Sequence, residues 1–200
     1  MALDDELGPL RALVGTWEGD EGLDVAFSNT RGQIVETPFR ERTTFSPFGP
    51  VENGRQVLYG LDYRTAAWRA DEENPFHTEV GYWLWDAADH QVLRCFLIPR
   101  GTAVVAGGAA EPDSRLLVMQ AHVGSASYGI LSNRFLDEFA RATDYEVTVR
   151  LGDGTFSYDE TTTIVHGRLT DVLNHTDRNT LHRVGDPGPH GEVSRAGGGR

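Results

Sequence analysis

Seven histidines, a single cysteine and eighteen arginines with no lysine bound the chemistry open to this 200-residue chain. Without an ammonium side chain, a Walker A phosphate loop and Schiff-base chemistry, that of pyridoxal phosphate included, are excluded. His77-Thr78-Glu79 has the most useful spacing: two residues apart in a strand, an imidazole and a carboxylate share a face and can pair. The same triplet opens a zinc-deaminase pattern, but that site needs two further thiolates and only Cys95 exists. Cys95, between Arg94 and Phe96, reads as a small buried hydrophobe. There is no Gly-x-Ser-x-Gly elbow, no His-Glu-x-x-His helix and no Gly-x-Gly-x-x-Gly turn. His90 sits beside Asp89 in a turn and reads as solvated, while His122 and His166 lie in strands without a partner at metal-site spacing. His182, between Leu181 and Arg183, serves a strand. Arg40 and Arg42 share a strand face, and Arg94 and Arg100 flank another, so a carboxylate clamp exists if any point inward; charged strand residues usually face solvent. The run His175-Thr176-Asp177-Arg178-Asn179-Thr180 gathers turn and cap formers and reads as a hydrogen-bonded loop closing the fold.

The elements that must position these groups are mostly strands. Val35, Thr37, Phe39, Glu41, Thr43 and Phe45 alternate with a polar set, and Val57, Tyr59, Leu61 and Tyr63 share a face. Further strands are expected over 76–85, 91–98, 102–106, 115–123, 145–151 and 155–166, with a last short one over 180–184. Turn chemistry at Asn53-Gly54, Gly107-Gly108 and Gly152-Asp153-Gly154 implies antiparallel pairing of neighbours. Residues 3–14 suggest one or two helical turns carrying Leu7, Leu10 and Leu13. A second short helix, with Leu131, Phe135 and Phe139 four apart, is expected to lie against the sheet. About ten strands without a second core-sized segment favour one antiparallel up-and-down barrel over residues 1–184, followed by a loose Gly- and Pro-rich tail over 185–200. Inner faces that mix aromatics with polar groups favour a cavity over a filled interior. Thirty acidic residues give a formal charge of −12, which opposes docking on nucleic acid or anionic lipid. The opening MALDDELGPL has no export signal, no stretch is long enough for a membrane span, and one cysteine forms no internal disulfide, so a reduced, cytoplasmic setting is expected.

Four segments carry a resemblance to a known family. LGPLRALVGTWEGDEGLDV resembles the opening of the nitrobindins, haem-binding barrels related to lipocalins and fatty-acid-binding proteins, with their Gly-x-Trp-x-Gly signature at Gly15-Thr16-Trp17-Glu18-Gly19. PFRERTTFSPFG, FHTEVGYW and the closing NTLHRV continue the likeness in order over residues 7 to 184. Gly15, Trp17 and Gly19 read physically as packing: a Trp plugging the closed end, flanked by glycines that permit close backbone approach.

The resemblance implies a calycin-like barrel holding haem b, with His77 in the distal pocket. The iron-ligand position falls on Thr176 when Leu181-His182-Arg183 is aligned, and a one-residue gap brings His175 to it. Phe39, Arg42, Phe45, Tyr59, Tyr82 and Phe96 are the expected pocket residues. Nitric oxide binding and conversion of peroxynitrite to nitrate would follow. The alternative is a carrier of a hydrophobic carboxylate that has lost the iron ligand, although the Arg-x-Tyr element of fatty-acid-binding proteins is missing from Arg178-Asn179-Thr180. Expected partners are therefore a haem or small hydrophobic ligand, and a second copy in a homodimer, with no nucleic acid and no membrane. With no lysine, any ligand carboxylate must be met by arginine, histidine or backbone amides.

Overall fold

Alternation of inward and outward side chains, sustained through nearly every segment, closes this chain into a barrel. The computed structural model describes residues 3–70 and 72–187; most of the predicted tail, from 188 on, lies outside the described residues. Eleven strands follow one another: β1 (Gly15–Ser28), β2 (Gln33–Asn53), β3 (Gln56–Arg69), β4 (His77–Asp86), β5 (Gln91–Ile98), β6 (Thr102–Ala109), β7 (Leu116–Val123), β8 (Gly129–Ser132), β9 (Ala140–Leu151), β10 (Thr155–His166) and β11 (Leu173–Gly185). They form one ring in chain order except that β8 lies between β6 and β7, and β11 returns to pair with β1. The pairings are antiparallel save for a short parallel contact between β7 and β8. The all-β barrel expected from the sequence is what forms.

The closed end is a plug. Two 3-10 helices, Leu3–Glu6 and Gly8–Leu13, bring Leu7, Leu10 and Leu13 to 0% exposure across the barrel's base. Trp17 follows them, its Nε1 donating to the Leu13 carbonyl at 2.7 Å and its ring edge-on to Phe156 at 5.1 Å. Gly15 has φ +137°, which side chains rarely adopt, and a Cβ at Gly19 would sit 2.4 Å from the Thr180 carbonyl. The Gly-x-Trp-x-Gly signature is thus a packing device. Above it Phe45 forms an aromatic layer with Tyr63, Trp83 and Phe156, at centroid distances of 5.8, 5.7 and 5.9 Å.

Three expectations are corrected. β11 begins at Leu173, not at 180, so the segment read as a loop is strand: its backbone is satisfied on both sides by β1 and β10, and that outweighs the turn preference of Asn174, Asp177 and Asn179. The short strand β8 was not expected at all. The second helix, α1 (Arg134–Phe139), is a single capped segment with Asn133 accepting from the Leu136 amide at 3.0 Å. It does not bury its apolar residues: Phe135 packs on Phe139 at 5.0 Å, and both stay largely exposed.

Candidate functional site: a charged hollow in the barrel

Above the aromatic layer the barrel opens into a cavity of about 280 Å³. Strand parity decides what lines it. In β2 the inward set is Phe39, Glu41, Thr43 and Phe45; in β4 it is His77, Glu79 and Trp83; in β10 it is Phe156, Tyr158 and Glu160; in β11 it includes His175 and Asp177. Acids therefore alternate in phase with the aromatic residues, and five carboxylates, those of Asp24, Glu41, Glu79, Glu160 and Asp177, face one hollow.

The first group of interactions centres on Arg94 in β5, which is 8% exposed. One guanidinium nitrogen donates to Glu79 at 2.7 Å, and the other to Glu160 at 2.6 Å and to the Tyr145 hydroxyl at 2.5 Å. The plane also rests 4.7 Å from the centroid of Phe96. Tyr63 donates to Glu79 at 2.6 Å and His77 Nε2 lies 3.1 Å from the other Glu79 oxygen. Burial pushes the Glu79 pKa up, but Arg94, His77 and Tyr63 outweigh it and hold the carboxyl at about 2. Burial opposes protonation of His77, yet Glu79, with Glu160 and Asp177 beyond it, raises its pKa to about 9, so the imidazole is a cation at neutral pH. Burial raises Tyr63 and Tyr145 well above the ordinary phenol value, leaving both as neutral donors.

Glu41 is held differently. One oxygen lies 3.1 Å from Thr43 and 2.8 Å from Thr65, whose hydroxyls are 2.6 Å apart so that one donates to the other and the other to Glu41; the second oxygen accepts from Tyr158 (2.8 Å) and Asn179 (3.0 Å). Neutral groups alone orient this carboxylate, and no ion pair is formed with it among the described residues.

The third group lies across β1 and β11. His175 Nε2 is 2.7 Å from Asp24 Oδ1 and 3.2 Å from Asp177 Oδ2. The His175 pKa is raised: burial lowers it, and the Asp24 hydrogen bond with the charges of Asp177, Asp24 and Glu160 more than reverses this. Asp177 is raised to about 7, first by burial and then by Glu160 and Asp24, against the opposing pull of His175 and His77.

Of the residues singled out from sequence, His77, His175, Phe39 and Phe45 line the cavity, and Arg94 lies inside it with both terminal nitrogens already engaged. Tyr59 and Phe96 turn inward and pack in the core without lining the cavity. Arg42 is on the outer wall, paired with Glu18 at 2.6 Å, and Tyr82 is also outside, half exposed against Phe48. Both corrections follow from parity: Arg42 is one residue out of phase with Glu41, and Tyr82 is one out of phase with Trp83. Arg40 is outside too, stacked over Trp68, and Arg100 stands at the exposed rim with Arg69. Sequence reasoning missed Asp24, Glu41, Tyr158, Glu160 and Asp177. Their signal was an acid or phenol on the same alternating face as buried aromatics.

Comparison with known proteins places this architecture. The sequence pattern of the THAP4-like, heme-binding beta-barrel domain matches residues 6–183. The chain belongs to the THAP4-like heme-binding beta-barrel family. The resemblance read from Gly15-Thr16-Trp17-Glu18-Gly19 and the segments after it is thereby borne out. The crystal structure of Rv2717c from M. tuberculosis superposes with a TM-score of 0.65 at 18% identity, covering 90% of this chain and 97% of that one, which is a likeness of fold. No curated protein sequence matches. The hollow above the aromatic layer and the recess that adjoins it over β1 and β2 are where this chain has room for a ligand.

The family implies haem, and the residues present can be tested against it. An iron-ligating imidazole turns one ring nitrogen to the metal and donates the other to an acceptor. In His175 the Nε2 edge is held between Asp24 and Asp177, and His77 Nε2 faces Glu79. Haem would bring two propionates towards five carboxylates, with Arg69 and Arg100 at the rim as the exposed cations able to meet them. The hollow of about 280 Å³ adjoins a more open recess of about 830 Å³ over β1 and β2, with Asp24, Ala26, Phe39 and Arg69 in the lining of both. As arranged, the hollow does not fit haem ligated through His175 Nε2, since that atom is committed to Asp24 and Asp177.

Proposed function

We propose that this barrel is a receptor for a small, positively charged ligand, bound by carboxylates inside the cavity. One observation carries the reading: five acids converge there, while the buried cations, Arg94 and the protonated His77, are already engaged by Glu79 and Glu160. A guest ammonium or amidinium adds to the cations of the hollow, and Glu41, preset by neutral hydrogen-bonding neighbours and without an ion-pair partner among the described residues, is the acceptor placed to receive it. Thr43 and Thr65 support Glu41 from the β2–β3 side, and Tyr158 and Asn179 from the β10–β11 side. The aromatic layer beneath offers an apolar floor for the ligand's carbon skeleton.

The same charge balance argues against a hydrophobic carboxylate held inside, since Arg40 and Arg42 face outward, Arg94 is engaged, and Arg69 and Arg100 stand at the rim. Nitric oxide binding and peroxynitrite isomerisation depend on haem and form no part of this reading. Thermal melts with a small diamine, a medium-chain fatty acid and haemin test it together. The diamine should raise Tm, by about 2.7 kcal/mol of stabilisation at one hundred times its Kd. Glu41→Gln should weaken that binding about 10- to 100-fold, the worth of a charge-assisted hydrogen bond. Stoichiometric haemin binding with a Soret shift lost in His175→Ala, without a diamine effect, would overturn it.

A further inference from the structure

Asp24, Asp177 and Glu160 occupy one row around the barrel wall. Asp24 is the direct cross-strand partner of Asp177 in the β1–β11 pairing, and Asp177 is the direct partner of Glu160 in the β11–β10 pairing. All three side chains point into the hollow. Like charges directly opposite on a sheet face repel, and they do so more strongly out of water. Glu160 has Arg94 and Tyr145 to neutralise it. Among the described residues, Asp24 and Asp177 share the imidazole of His175 as their ion-pair partner, with His77 acting on Asp177 from farther off.

The three ligand atoms converge. His175 Nε2 and one oxygen from each aspartate all lie within 4.8 Å of one another, with nitrogen-to-oxygen separations of 2.7 and 3.2 Å. For an ion about 2.1 Å from each atom, such separations subtend angles of roughly 80–100°. Both nitrogen–ion–oxygen angles are thus near the right angle of an octahedron and narrower than a tetrahedral site needs, and the two aspartate oxygens lie within 4.8 Å of each other. One imidazole with two carboxylates is a borderline donor set, suited to Zn²⁺, Mn²⁺ or Fe²⁺. Burial of Asp24, 6% exposed, and the strand pairing on both sides of Asp177 fix the carboxylates in place. The remaining coordination positions face the cavity, where water or a ligand donor atom has access.

We propose that Asp24, His175 and Asp177 form a divalent transition-metal site in the barrel wall, with open positions turned to the hollow. The inference rests on the reading of the barrel as a receptor for cations but is made at three side chains of its own. It differs from haem ligation in kind, since the ion is held by carboxylates as well as by imidazole, and no porphyrin is involved.

The test uses full-length protein stripped with a chelator and titrated with Zn²⁺ by calorimetry and with Co²⁺ by visible absorption. One ion per chain is expected, with d–d bands that report mixed nitrogen and oxygen ligation. His175→Gln and Asp177→Asn, checked for folding by circular dichroism, should each weaken binding at least about tenfold. His122→Ala, which removes the surface His122–Asp144 pair, should leave it unchanged. Equal affinity in wild type and both site variants, or loss in His122→Ala alone, would overturn the proposal. Diamine binding without metal binding would sink the metal site and leave the broader cation reading standing; metal binding without diamine binding would do the reverse.

Discussion

Asp177 shows what one residue's surroundings do to its proton. Its pKa of about 7 in the fold stands well above the ordinary 3.8, so folding favours its neutral form. The cost of ionising it is absent below about pH 4, grows as pH rises through that interval, and is complete above 7. Asp177→Asn cannot ionise. Its stability margin over wild type, read from urea unfolding in chelator, should therefore grow by on the order of 1–3 kcal/mol between pH 4 and pH 8 and level off beyond. A margin independent of pH would contradict the crowding described for Asp24, Asp177 and Glu160. Glu79 acts in the opposite sense: held at about 2, it contributes stability that is present above its ordinary 4.5 and fades as pH falls towards 2. The His77–Glu79 pair could be read from its spacing alone, because both members lie on one strand. The acidic row could not, because its members are 153 to 17 positions apart and meet only when β1, β10 and β11 are in register.

At the scale of elements, the plug and the cavity are separate pieces of work. Leu7, Leu10 and Leu13 seal the base, and none of them lines the hollow. Leu10→Ala should cost about 2–5 kcal/mol of stability while leaving the Kd for a bound cation within about twofold. Loss of binding at a temperature where the variant stays folded would show that the plug shapes the site. Most strands were legible from alternation, since β2, β3, β4 and β10 carry long in-phase sets. The first half of β11 was not: Asn174, Asp177 and Asn179 are turn formers by local preference, and it takes the pairing with β1 and β10, with Asn179 donating to Glu41 and Asp177 meeting His175 on the inner face, to make them strand residues. The helix α1 was legible in place and misread in packing, because spacing of four aligned Phe135 and Phe139 with each other and not with the wall.

For the whole molecule, the decisive pairing is between the first strand and the last. The barrel closes when β11 inserts between β1 and β10, so almost the entire chain must be present before the ring is complete. Removal of residues 173–187 should leave a species without cooperative unfolding and not a ten-stranded barrel, as near-ultraviolet circular dichroism and denaturant titration would report. Sharp cooperative melting in that truncation would show that β10 can pair with β1 unaided. Fold class was legible at this scale from turn spacing and from the Gly15-to-Gly19 signature; the acidity of the interior was not, because a net charge of −12 says nothing about which side of the wall the acids occupy. The four tryptophans divide by position: Trp17 and Trp85 lie buried in the base, Trp68 lies on the outer face beneath Arg40, and Trp83 lines the cavity floor with its indole Nε1 unpartnered among the described residues. A molecule or paramagnetic ion entering the hollow therefore meets the one indole that lines it, so that intrinsic emission from this barrel carries its own built-in optical gauge of occupancy.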